Sequence, residues 1–173
     1  VDATREPWAK NYRMRSWLER ELPAIVGREL PADMMRQGIM GHSMGGHGAL
    51  TMALREPSRF SSVSAFAPIV SAANCPWGEK ALTGYLGPDR AAWRDYDACA
   101  LIEDGARLPG LLVDQGTADG FLAAQLKPEL LEAACEKARM PLTLRRQDGY
   151  DHSYFFIASF IADHLRWHAE RLG

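Results

Sequence analysis

The sequence is poor in cysteine, in net charge and in long apolar runs, and each shortage excludes a class of protein. Its three cysteines, Cys75, Cys99 and Cys135, are odd in number, widely spaced and without a C-x-x-C pair. That excludes a disulfide framework or a cysteine-based zinc site and fits reduced thiols packed as small apolar residues. Lys and Arg number 20 against 22 Asp and Glu, a net charge of −2, so no global field draws the chain to nucleic acid or to an anionic membrane surface. Neither a nucleic-acid partner nor a membrane is expected. No apolar stretch reaches the roughly 18 residues of a membrane span, and the N-terminus carries no basic-then-apolar leader. The sequence also opens on Val1 without an initiator methionine, inside what reads as an ordered segment, so it reads as a piece of a longer protein. What is present is enough for one core: 173 residues, 47% hydrophobic and 24% charged, predict a single domain over 1–173.

The pattern alternates strands and helices. After a loop biased by Pro7, Tyr12 to Leu22 places Met14, Trp17, Leu18 and Leu22 at helical spacing, and Pro23 kinks or restarts the helix through Val26. Arg36 to Met40 reads as a strand and Gly46 to Leu54 as a helix. Ser62 to Ala67 reads as a buried strand. The stretch from Ser71 to Asp104 is irregular, with a helix from about Pro76 to Leu86. Trp77, Tyr85 and Trp93 in it either cap a pocket or pack the insertion onto the body. Leu108 to Gly116 is a strongly apolar strand ending in polar residues, followed by the loop 117–120 and a helix from about Leu122 to Ala138. Met140 to Gln147 reads as the last strand, at an edge because of Pro141. The loop 149–152 then leads to a final helix, Ser153 to Arg171, whose apolar face carries Phe156, Ile157, Phe160, Ile161, Leu165 and Trp167. Such alternation predicts an α/β fold, an open parallel sheet with helices on both faces.

The centre of this pattern is Gly41-His42-Ser43-Met44-Gly45, a G-x-S-x-G pentapeptide between a strand and a helix. A serine in the strained strand-to-helix turn is exposed as a nucleophile, and small neighbours at 41 and 45 let strand and helix pass closely. A serine hydroxyl becomes nucleophilic only when an imidazole takes its proton and a carboxylate fixes the imidazole tautomer. Asp119 and His152 both fall in loops after strands, and the order Ser43, Asp119, His152 is that of α/β-hydrolases. The rivals are weaker. Asp114 lies inside a strand, Asp151 is too close to His152 to reach back to its Nδ1, His42 and His47 sit too near the serine, and His164 and His168 fall on the solvated side or end of the last helix.

A resemblance then becomes plain. Pro7-Trp8, Tyr12-Arg13-Met14, Gly41-His42-Ser43-Met44-Gly45-Gly46-His47-Gly48, Pro76-Trp77-Gly78-Glu79-Lys80, Val113-Asp114-Gln115-Gly116 and Gly149-Tyr150-Asp151-His152-Ser153-Tyr154 resemble the S-formylglutathione hydrolases, the esterase D family, from one end of the chain to the other. The resemblance implies an α/β-hydrolase with Ser43 as nucleophile, His152 as base, Asp119 as acid and the Met44 backbone N–H as an oxyanion donor; Trp77 is the candidate substrate contact. It also implies hydrolysis of the small-molecule thioester S-formylglutathione to glutathione and formate in formaldehyde detoxification. No metal and no cofactor are expected, and a cytoplasmic, possibly homodimeric protein is. The chain departs from the family at its front: nothing matches the N-terminal region with the first strands and the second oxyanion donor. Those strands are therefore expected to be missing. A broader carboxylesterase or acyltransferase, and an impaired remnant serving only in association, stand as alternatives.

Overall fold

Four short segments of small and apolar residues make one sheet. In the computed structural model, which describes residues 1–173, β1 (Gly38–His42), β2 (Ser62–Phe66), β3 (Leu111–Gly116) and β4 (Leu142–Gln147) pair in the order β1-β2-β3-β4. Every pair is parallel, with Gly38 opposite Ser62 and Leu111 opposite Leu142 in register. Parallel neighbours need a crossover, and α-helical segments supply it on one face, while the helix after β4 covers the other, so helices lie on both faces as the alternation predicts. β4 is an edge, as Pro141 predicts, and β1 is the other.

The period-2 alternation of the central strands sorts the two faces. Val63, Ala65, Leu111 and Val113 pack with Leu50 and Ala53 of α3 (Met44–Arg55), Ile102 of α5 (Ala98–Glu103), and Leu131 and Cys135 of α6 (Pro128–Ala138) in the main core. Full burial of each large side chain here contributes roughly 1.5–3 kcal/mol. On the opposite face lies α7 (Tyr154–Leu172), where Phe156 meets Phe66 edge-on at 5.6 Å. This second face is more polar than the sequence suggests. His164 and His168 are buried, not solvated, because β2 and β3 turn Ser62, Ser64 and Asp114 toward α7. His168 is bonded to the Ser62 and Ser64 hydroxyls at 2.6 and 2.8 Å, and His164 to Ser64 Oγ at 2.8 Å and Asp114 at 3.2 Å. Leu165, expected on the covered face, is 54% exposed.

Two helices differ from their sequence boundaries. The expected helix from Leu122 to Ala138 is broken: a π turn at Leu122–Leu126 ends at Lys127, which adopts the left-handed conformation (φ 49°, ψ 51°) before Pro128 opens α6. Proline disfavours a helical residue before it and lacks an N–H, so the helix restarts there. The front differs. α1 (Met14–Ser16) runs through a π turn at Trp17–Glu21 directly into α2 (Leu22–Glu29), with Ser16, Trp17, Glu21 and Leu22 all in the right-handed helical conformation, so Pro23 does not restart the helix. In α4 (Pro76–Leu86) and the 3₁₀ segment Arg90–Tyr96 that follows, the aromatics divide. Trp93 is buried in one cluster with Phe66 and Phe156 and donates Nε1–H to Gly87 O within the insertion at 2.9 Å, and Tyr85 packs against Trp8 and Tyr12, so these two fasten the insertion to the body. All three cysteines are buried and free, and burial pushes the Cys135 thiol up to about 11. No helix is long and apolar enough to cross a membrane.

Candidate active site

Ser43 sits where β1 runs into α3. Its backbone is in a conformation that non-glycine residues rarely adopt (φ 57°, ψ −114°), held by Ser43 N–H donating to Phe66 O at 2.9 Å and by His47 N–H donating to Ser43 O at 2.9 Å. Such strain costs on the order of 1–3 kcal/mol and survives only where neighbours enforce it. Gly41 permits the turn, since a Cβ there would stand 2.2 Å from Gly45 O. Gly45 itself has open space around it, contrary to the close passage expected of it. The tight contact falls one residue later, where a Cβ on Gly46 would meet Pro68 Cβ at 2.9 Å. The Ser43 side chain caps no amide of α3. The adjacent Met44 N–H opens the helix and has no preceding helical carbonyl to bond, which leaves it free for an anion.

Asp119 and His152 come together across two loops. Asp119 has a fully buried side chain and accepts His152 Nδ1–H at 2.6 Å through Oδ2, while the His152 side chain remains 20% exposed. Asp119 Oδ1 accepts Phe121 N–H at 2.8 Å and Oδ2 also accepts Gln115 Nε2–H at 3.2 Å. The loops are zipped to each other: Thr117 N–H donates to Gln147 O and Ala118 N–H to Tyr150 O, both at 3.0 Å. Two aromatic rings contact the imidazole of His152, Phe121 edge-on at 5.0 Å and His42 tilted at 4.4 Å. His42 immediately precedes Ser43, so this contact brings the His152 ring to the elbow. Hydrogen bonds join Asp119 to His152 but not His152 to Ser43; such contacts are commonly loose without substrate.

The rival residues are occupied elsewhere. Asp114 is fully buried against Arg145 Nε at 2.6 Å and Gln147 Nε2 at 3.2 Å, besides His164. Burial raises its pKa, but these donors outweigh it and hold the carboxyl below the usual carboxylate range. Asp151 accepts Ser153 N–H at 2.9 Å. His47 is buried and bonded to Tyr96 O at 2.7 Å, and burial depresses its pKa. His42 is depressed too, by burial first and then by the neighbouring His152, with Asp119 opposing. Its Nε2 is buried without a partner.

Beside the elbow opens a cavity of about 980 Å³, lined by Met44 and Gly45 at the serine end, Trp77 and Tyr85 on α4, and Ile39 and Met40 on the outer strand β1. Trp77 is 39% exposed and its backbone N–H donates to Gln125 Oε1 at 3.0 Å. Sequence reasoning did not single out Gln115 and Phe121. For Gln115 the available signal was an amide at the polar end of an otherwise apolar strand.

Comparison with known proteins gives the family. Residues 1–167 match the family model described as "Putative esterase". The chain is 51% identical over its whole length to the S-formylglutathione hydrolase of Mus musculus and 53% to that of Paracoccus denitrificans, covering 62% of each. It superposes on the structure of an S-formylglutathione hydrolase from Agrobacterium tumefaciens with a TM-score of 0.98 at 60% identity, again over all of this chain and 62% of that one. The chain thus spans about 62% of the length of the relatives it matches. With a G-x-S-x-G elbow at the end of β1, an Asp–His pair beside it and a family match over nearly every residue, the chain belongs to the esterase family.

Proposed function

We propose that Ser43, His152 and Asp119 form a catalytic triad and that residues 1–173 act as one catalytic domain of a serine thioesterase whose substrate is S-formylglutathione. The observation that carries this reading is the 2.6 Å bond from His152 Nδ1 to the buried Asp119 carboxylate, beside the strained Ser43 turn. That bond fixes the tautomer in which Nε2 is unprotonated and able to take the Ser43 proton. The alkoxide-like Oγ attacks the thioester carbonyl carbon, and the oxyanion forms against Met44 N–H. The imidazolium then protonates the leaving sulfur, the thiol departs, and water activated by the same imidazole hydrolyses the formyl-serine to formate. The substrate assignment rests on the relatives' names, and the dimeric state and cytoplasmic location rest on the family resemblance. Trp77 and Met44, lining the cavity next to Ser43, are the proposed substrate contacts.

The test combines fluorophosphonate labelling with turnover of S-formylglutathione, for the 173-residue chain and for a chain extended to the relatives' length. We expect label on Ser43, none in Ser43→Ala, and release of formate. Equal labelling or turnover in Ser43→Ala would sink the serine mechanism. Turnover of simple esters without S-formylglutathione would point to the broader carboxylesterase.

A further inference from the structure

We infer that Gln115 is a positioning residue for the reaction: its side-chain amide ties the Asp119 carboxylate to the rigid sheet, so that Oδ2 meets His152 Nδ1. The inference rests on the triad reading above and goes beyond it. Three N–H groups converge on Asp119, and they differ in where they come from. Phe121 N and His152 Nδ1 belong to loops. Gln115 belongs to β3, opposite Arg146 of β4 in the parallel register, and is 1% exposed. It is therefore the single donor of the three that holds the carboxylate to an element unable to shift independently, which is what sub-ångström placement of a catalytic pair needs.

The orientation of the amide is fixed by its surroundings. Nε2 faces two acceptors, Gly116 O at 3.1 Å and Asp119 Oδ2 at 3.2 Å, and neither can donate, so Oε1 cannot take its place. Oε1 is left buried without a hydrogen-bond partner. An unmatched buried acceptor is destabilising, so an apolar side chain of similar length would serve the core better. The amide is explained by what its nitrogen holds. Gln115 also shares Oδ2 with His152, one donor fixing the lone-pair direction that the other leaves.

The test is a double-substitution cycle with Gln115→Met, which keeps length and removes both donors, and Asp119→Asn. Two readouts are followed: the low-field Nδ1 proton resonance of His152, identified by its loss in His152→Ala, and the rate of Ser43 phosphonylation. We expect Gln115→Met to shift or broaden the resonance and slow phosphonylation about tenfold, yet to add less than twofold in the Asp119→Asn background. A core-packing role would instead slow both backgrounds equally. Should Gln115→Met fail to fold, Gln115→Asn, an amide too short to reach Asp119, gives the same expected shift. An unchanged His152 resonance in a folded variant, or equal slowing in both backgrounds, overturns the inference. The resonance is read whether or not Ser43 reacts, so absent labelling of the unsubstituted chain would count against the triad and not against the Gln115 tether.

Discussion

Gly116 passes so close to Tyr150 that a Cβ on it would stand 2.2 Å from the Tyr150 carbonyl oxygen. Gly116 ends β3 just before the Asp119 loop, and Tyr150 lies two residues before His152, so this contact sets the spacing between acid and base. The obstacle is backbone, which cannot swing aside as a flexible side chain can. Gly116→Ala is therefore expected to cost about 1–3 kcal/mol of stability and to slow Ser43 phosphonylation by more than the stability loss explains. Urea unfolding and labelling kinetics on the same preparation check this, and a destabilised protein with unchanged labelling would contradict it.

Asp119→Asn keeps the shape of the loop but replaces the acceptor that selects the His152 tautomer. In a triad that change lowers turnover by up to about four orders of magnitude. Thioester hydrolysis by the folded variant is the measurement, and a loss below tenfold would remove Asp119 from the acid's role.

The buried cluster under α7 should show in stability, not in chemistry. Asp114 is fully buried, and Arg145, 31% exposed, is its main cation. Breaking a buried pair from one side leaves an uncompensated charge, at a cost of about 3–5 kcal/mol. Since Arg145 is partly solvated, Arg145→Met is expected near the lower end, about 3 kcal/mol. Chemical denaturation decides, and a change under about 1 kcal/mol would mean that solvent already screens the pair.

Acidification should destabilise the fold before any carboxylate titrates. Burial depresses His47, His42 and His168, with the His152 ring adding to His42, and His164 and Arg171 adding to His168. In the unfolded chain these imidazoles take up protons near pH 6.5, whereas the fold takes them up only at lower pH. The unfolded state thus binds more protons, so stability is full above about pH 6.5 and falls as pH drops through the folded-state values. Asp114, depressed on balance by its donors, contributes stability that is present above about pH 4 and lost below it. Melting temperatures from pH 8 to 4 should decline below 6.5, less steeply in His168→Asn. A flat profile between pH 7 and 5 would refute the assignment.

The outer edge of β1 has no strand partner, and Met40 on it is 40% exposed beside the apolar cavity. An unprotected strand edge invites pairing between chains. Light scattering and thioester turnover should therefore show the 173-residue chain associating more and turning over less than a chain extended to the relatives' length. Equal behaviour of the two would show that this edge needs no cover.

The sequence by itself determined the alternation of strands and helices, the strand-to-helix serine and the loops that carry Asp119 and His152, because periodicity, glycine and proline are local properties. It placed Asp119 in a loop and Asp114 inside a strand, and in the structure Asp119 bonds His152 while Asp114 is held by Arg145 and Gln147 of the neighbouring strand and by His164. The tertiary structure decided the rest. Whether His164 and His168 face solvent depends on Ser62, Ser64 and Asp114, about 50 to 106 residues away in the chain, and no helical period contains that information. The same holds for the Gly116 contact with Tyr150 and the approach of the His42 ring to His152: each joins residues more than 30 positions apart that only the assembled sheet brings within reach.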